Sequence, residues 1–226
     1  MNYEWDFGAV WAHRDMLLAG AFGTLKIAAV AILMGVVIGA VLAIMRLSKR
    51  RWLELPAIWF TEFYRNTPPL IHFFWAFYGL PVLIGVSLDP YVAAIIALST
   101  QSGAFYAEVI RGGVVSVERG QWEGARAIGM KPAQVVRRVI LPQAAQRMLP
   151  PFLERSFELI KTTALASTLA YSDLMYQAMQ VNSITFRPLE VYTFVAGIFF
   201  ASLLFLSFLA HLLERRLSRF TFLPAS

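Results

Sequence analysis

Six polar residues crowd a short stretch of the chain: Glu154, Arg155, Glu158, Lys161, Thr162 and Thr163. On a helix, residues spaced three and four apart come within one another's reach. Opposite charges so arranged either hold each other in a structural ion network or line a cavity and read a ligand that carries both signs. Upstream, Arg65 follows Thr61 by one helical turn, and a forked guanidinium beside a hydroxyl suits a carboxylate. An arginine near a membrane edge also snorkels to the interface or contacts phosphate, and both readings of Arg65 stand. Glu108 and Arg111 are spaced to pair with each other. His72, set among Phe73, Phe74 and Trp75, has no companions to ligate a metal and reads as a packed or gating residue. No nucleophile with a matching base stands out, which argues against a membrane enzyme. The chain has no cysteine, so thiol chemistry and disulfides are excluded.

Charges of this kind are expensive in hydrocarbon unless paired or wetted, and most of the surrounding sequence is suited to hydrocarbon. Apolar residues make up 58% of the 226, above the roughly 45–50% of soluble domains. The pattern predicts an all-α integral membrane protein, one domain over 1–226. Five spans are expected: Leu17–Met45, Leu55–Val86 broken near Pro68 and Pro69, Pro90–Val115, Pro150–Tyr171 and Val191–Leu213. Between the third and fourth, residues 116–147 are too charged for lipid.

Basic residues set the orientation. Arg46–Arg51 holds four, Arg111–Arg147 seven and Arg215–Arg219 three of the 20 lysines and arginines. The alternating segments Met1–Phe22, Gly85–Pro90 and Asp173–Glu190 carry only Arg14 and Arg187 among several acids. An N-terminus outside and a C-terminus in the cytosol follow. The net charge of +6 is thus a matter of topology, and no nucleic-acid partner is expected. Asn2, Tyr3, Glu4, Trp5 and Asp6 replace the basic start of a cleavable signal, so the first span is expected to remain. Trp5, Trp11, Trp52 and Trp59 suit the lipid interface, and Gly35 with Gly39 forms a small-residue packing face.

The stretch Gly120–Pro142, GQWEGARAIGMKPAQVVRRVILP, predicts two short helices joined at an elbow. Gly129 ends the first with a left-handed cap, and Lys131 with Pro132 starts a second running to Leu141. Gly124, Ala125 and Ala127 keep the first helix slim enough to enter a groove on another protein, with Glu123 and Arg126 able to pair at its rim. A hairpin packed on its own bundle is the plainer alternative. The run Glu123, Gly124, Ala125, then Gly129, then Ile140, Leu141, Pro142 resembles the EAA motif of importer permeases of the ATP-binding cassette (ABC) superfamily, with Gly124 where alanine is usual. Glu62–Pro81, Ala104–Met130 and Gln143–Ser167 resemble the polar amino acid branch, the histidine, glutamate and glutamine type.

That resemblance implies a type I ABC importer permease fold of five transmembrane helices in the bacterial inner membrane. It implies that Gln121, Glu123, Gly124, Ala125, Arg126 and Gly129 belong to a coupling helix that docks on ABC ATPase subunits. It further implies a second permease subunit, the same or paralogous, and a substrate-binding protein that delivers an amino acid. ATP and Mg belong to the partner ATPase, since no GxxxxGK[ST] loop occurs here, and no cofactor is expected on this chain. Among related permeases the arginine matching Arg65 lies beside the substrate route. Thr61, Arg65, Arg155, Glu158 and Thr162 are the expected substrate residues, although relatives often carry Asp in place of Thr162. Arg155 and Lys161 lean toward an acidic substrate and Glu154 and Glu158 toward a cationic one, so the expectation stays at polar amino acids. The alternative is an ion-coupled secondary transporter or channel with the span-four charges as relay, against which stands the absence of an internal repeat.

Overall fold

In the computed structural model, which describes residues 3–218, every regular element among the described residues is helical. Met1 and Asn2, at the N-terminal flank, and Arg219, counted in the basic tail, lie outside the described residues. The first helix, α1 (Phe7–Trp11), starts at Asp6, whose carboxylate accepts from the N–H groups of Gly8 at 3.0 Å and Ala9 at 3.3 Å. α2 (Arg14–Arg46) has 33 residues. At about 1.5 Å per residue that is about 50 Å, more than a hydrocarbon core of about 30 Å requires.

α3 (Arg51–Asn66) stops where Thr67 turns extended ahead of Pro68, and α4 (Pro69–Phe74) restarts on Pro69. The two halves meet at 112°, so the break falls where the proline pair predicts it. A π-helical stretch, Trp75–Gly79, joins α4 to α5 (Leu80–Ile84), which Gly85 closes at φ 71°. Asp89 then caps α6 (Pro90–Val115), accepting from the Tyr91 N–H at 2.8 Å. α2 lies along α6 in such close contact that a Cβ on Gly39 would sit 2.7 Å from the Tyr106 Cβ, and one on Gly35 2.3 Å from the Ser102 hydroxyl. The small-residue pair is a packing face, as expected.

The chain continues through α7 (Arg119–Ala127), α8 (Pro132–Val135), a π stretch over Val136–Ile140, α9 (Leu141–Thr162), a 3₁₀ stretch over Thr163–Leu169, α10 (Leu174–Thr185) and α11 (Pro188–Ser218). Two boundaries differ from the sequence reading. The second arm of the elbow does not stop at Leu141 but passes through the π stretch into α9. Pro142 has no N–H to donate, and it falls where the wide turn has already displaced the regular ladder. Pro150 and Pro151 therefore lie inside a continuous helix rather than at the start of one.

Arg14–Arg46, Pro90–Val115 and Pro188–Leu212 are long and apolar enough to cross a membrane, and the bent α3–α5 unit makes a fourth crossing if taken as one broken span. α9, the expected fourth span, does not qualify on composition. Arg147, Glu154, Arg155, Glu158 and Lys161 interrupt it, so it can cross only against protein or water.

At the end of the bundle away from α7, α10 folds over the start of α2. A Cβ on Gly23 would lie 2.4 Å from the Ser172 carbonyl oxygen, so only glycine admits that approach. Beside it, Asp173 caps α10 by accepting from the Tyr176 N–H at 2.8 Å. The residue is fully buried and its second oxygen has no hydrogen-bond partner among the described residues. Burial pushes this carboxyl from 3.8 up to about 7, with the Tyr176 bond opposing the shift. Between about pH 4 and pH 7 the folded chain holds a proton that the unfolded chain has released. Stability is therefore expected to fall as pH rises through that window and to level off above it. Asp173→Asn keeps a cap acceptor without the charge, and melting curves from pH 4 to 8 should show a flatter dependence than wild type.

Candidate functional site

The middle of α6 carries Ser99, Thr100, Gln101, Ser102 and Gly103 within an otherwise apolar helix. The hydroxyls of Ser99, Thr100 and Ser102 donate to carbonyls of their own helix. The Gln101 amide makes no hydrogen bond among the described residues and lines a cavity of about 50 Å³ against α9. Phe105 of α6 and Arg155, Glu158 and Thr162 of α9 complete much of its wall. A second cavity, about 430 Å³, shares Phe105 and Arg155 and adds Arg65, Glu108, Arg147 and Glu154. The two form one charged recess.

Phe105 organises the recess. The Arg155 guanidinium lies 4.6 Å from its ring centre and that of Arg65 lies 5.9 Å away, so α9 and α3 each bring a cation to one aromatic ring. Arg65 also pairs with Glu62 at 3.4 Å, whereas Arg155 pairs with no acid among the described residues. Of the network expected along α9 only Lys161 with Glu158 forms, both well exposed; Glu154 stays unpaired among the described residues. The Thr162 hydroxyl donates to the Glu158 carbonyl at 2.8 Å, leaving its oxygen lone pairs free to accept.

Thr61 lies outside the recess. It is fully buried, its hydroxyl bonds the Ala57 and Ile58 carbonyls at 2.9 Å, and it accepts from Arg46 at 2.8 Å. Thr61 and Arg65 therefore do not act from one side, as one-turn spacing suggests: the short side chain stays in the α2–α6 seam while the long one reaches Phe105. Glu108 and Arg111 pair as expected, at 2.9 Å. Glu108 also pairs with Arg46, a partner invisible in the sequence because 62 residues separate them. Gln101 was missed as well; an amide amid serine and threonine at mid-span was the available signal.

The elbow forms as its residues predict. Gly129 is left-handed at φ 79°, its N–H donates to the Arg126 carbonyl at 2.9 Å, and the Met130 N–H reaches the Ala125 carbonyl at 3.2 Å. Lys131 begins α8 with its N–H bonded to the Gln134 side chain at 2.9 Å. Ala125 turns inward to pack with Val117, Val135, Ile140 and Ala144, so it is no part of an outer face. Gln121, Glu123, Gly124, Arg126 and Gly129 are exposed, and Glu123 and Arg126 do not pair. Ile128, 78% exposed at the tip, is an apolar knob that the sequence reading overlooked. The pattern of small residues drew notice instead.

The exposed elbow thus runs on into the helix that carries the charged recess. The family described as binding-protein-dependent transport system inner membrane component matches residues 35–219. This chain belongs to that family. The permease is 32% identical over 216 residues to the arginine transport system permease protein ArtQ of Bacillus subtilis (strain 168), covering 94% of this chain and 97% of that one. It is 37% identical over 198 residues to the octopine transport system permease protein OccM of Rhizobium meliloti, covering 84% and 81%. A solved amino acid ABC transporter with histidines superposes with a TM-score of 0.89 at 33% identity, over 95% of the permease and all of that chain. The inward-facing MetNI methionine ABC transporter, at 22% identity and a TM-score of 0.75, has the same fold. The permease is thus a multi-pass inner-membrane transport component with the ABC permease fold, not an enzyme, and the ion-coupled carrier or channel reading is set aside.

Proposed function

We propose that this permease carries polar amino acids inward by alternating access, with Arg155 and Glu158 reading the two ends of the zwitterion. One observation carries the proposal: these opposite charges, one turn apart on α9, line the same cavity together with Thr162 and the Gln101 amide, which has no hydrogen-bond partner among the described residues. The Arg155 guanidinium suits the α-carboxylate, and Glu158 with the Thr162 oxygen suits the ammonium. Arg65 adds positive potential along the wider part of the recess. The arginine and octopine named in the relatives are both amino acids in this sense.

A cavity of about 50 Å³ is small beside the roughly 300 Å³ of a typical ligand pocket. A second permease subunit, identical or paralogous, closes the recess in this reading. α9 is the fourth of five spans, shielded from lipid by that partner, and the N-terminus lies in the periplasm with the C-terminus in the cytosol. A binding protein delivers substrate outside, and an ATPase holding ATP and Mg docks on Gln121–Gly129. The elbow shares one core with the start of α9 through Ile140 and Ala144. Movement of the elbow is therefore transmitted along α9 to Arg155 and Glu158.

Calorimetry on the purified permease–ATPase complex without the binding protein tests the substrate class. Polar amino acids are expected to bind, while their decarboxylated amines and N-acetyl derivatives are not. Equal binding of the amines would remove the carboxylate reading and with it the role of Arg155.

A further inference from the structure

We infer that a phospholipid of the elbow-side leaflet seats between α2, α6 and the elbow, with its phosphate on Arg119. The groove there encloses about 640 Å³ and is lined by apolar side chains, among them Ala43, Ile44, Val115, Trp122 and Ile140. Arg119 is the one charged residue in that lining. It is exposed and pairs with no acid among the described residues.

Depth follows from the helix ends. α6 leaves its membrane-length stretch at Val115, and Arg119 opens the next helix, so the guanidinium stands just past the end of a span. From there the groove runs back along α2 through Ile44 and Ala40, toward the bilayer interior. Trp122 at the same level has the amphipathic ring that favours the head-group region. A water-soluble ligand would meet one cation and otherwise hydrocarbon walls. A phospholipid meets both of its needs, an apolar wall for an acyl chain and a forked donor for a phosphate. Arg137 and Arg138, exposed and unpaired among the described residues, neighbour the lining residues Val136 and Ile140. Their charge favours an anionic head group over a zwitterionic one.

The test uses the permease–ATPase complex extracted in mild detergent, incubated with phosphatidylglycerol or phosphatidylcholine, with bound lipid counted by native mass spectrometry. Wild type is expected to retain phosphatidylglycerol in preference to phosphatidylcholine. Arg119→Gln should lower phosphatidylglycerol retention about fivefold, the weight of one basic group near a lipid surface. Ala40→Trp, which fills the groove from α2, should displace both lipids. Because the chain has no cysteine, Val115→Cys places a single thiol at the groove. Cross-linking of that thiol to the ATPase or to a second permease would overturn the proposal, as would equal retention by wild type and both variants. Amino acid binding measured on the same samples separates this outcome from failure of the transport site.

Discussion

Arg155→Ala is expected to raise the KM for amino acid uptake about 10- to 150-fold, while basal ATP hydrolysis and membrane insertion stay near wild type. The range is the free energy of one charge-assisted hydrogen bond, roughly 1.5–3 kcal/mol, expressed as affinity. Arg155 has no acidic partner among the described residues, so its removal leaves no orphaned carboxylate and should disturb the fold little. Arg155→Lys keeps the charge over Phe105 but loses the fork, and should fall between. Glu154→Ala, also without an ion pair among the described residues and lining the wider part of the recess but not the narrow one, is expected to change KM less than threefold, well short of one charge-assisted bond. Uptake assays in proteoliposomes with the ATPase and binding protein would decide. A wild-type KM in Arg155→Ala would remove it from the site.

Gly129→Val should reduce substrate-stimulated ATP hydrolysis at least about tenfold without reducing amino acid binding. The reason is the backbone: Gly129 sits at φ 79°, where an L-residue costs roughly 1–2 kcal/mol and a β-branched one more. No atom lies within 4 Å of a Cβ built there, so a side-chain clash does not explain the effect. Relief of the strain would undo the two bonds that close the turn, from Gly129 to Arg126 and from Met130 to Ala125, and would swing the exposed tip with Ile128. Asparagine tolerates this conformation better, so Gly129→Asn should be milder. Gly124→Ala, on the same helix in open space with ordinary helical geometry, should be nearly silent. Full coupling in Gly129→Val would show that the elbow's shape is dispensable.

The two variants lie on one connected unit, Gly129 in the turn that leads into a long rod and Arg155 near that rod's far end. From Pro132 the chain runs through the π stretch into α9 without a break, so handle and recess share a backbone. The sequence reading ends the second arm of the elbow at Leu141, just ahead of Pro142, and begins a separate span at Pro150 and Pro151. The folded chain accommodates all three within helical structure.

Much else was legible in the residues alone. The helical class follows from apolar runs too long for anything but a membrane helix. The bend at Pro68 and Pro69, the left-handed turn at Gly129 and the Gly35 and Gly39 seam are each dictated by one or two residues acting on their own backbone. Such effects are local, and amino-acid order determined them. Which charges meet was decided only by tertiary structure. Arg46 finds Glu108 and Thr61, Arg65 and Arg155 gather on Phe105, and Gln101 opens onto α9 while Thr61 is sealed away. Those partners come from helices distant along the chain, and their contact depends on how close glycine lets α2 lie on α6 and how α3 is bent. Spacing along one helix states which residues share a face; what stands opposite that face is set by packing.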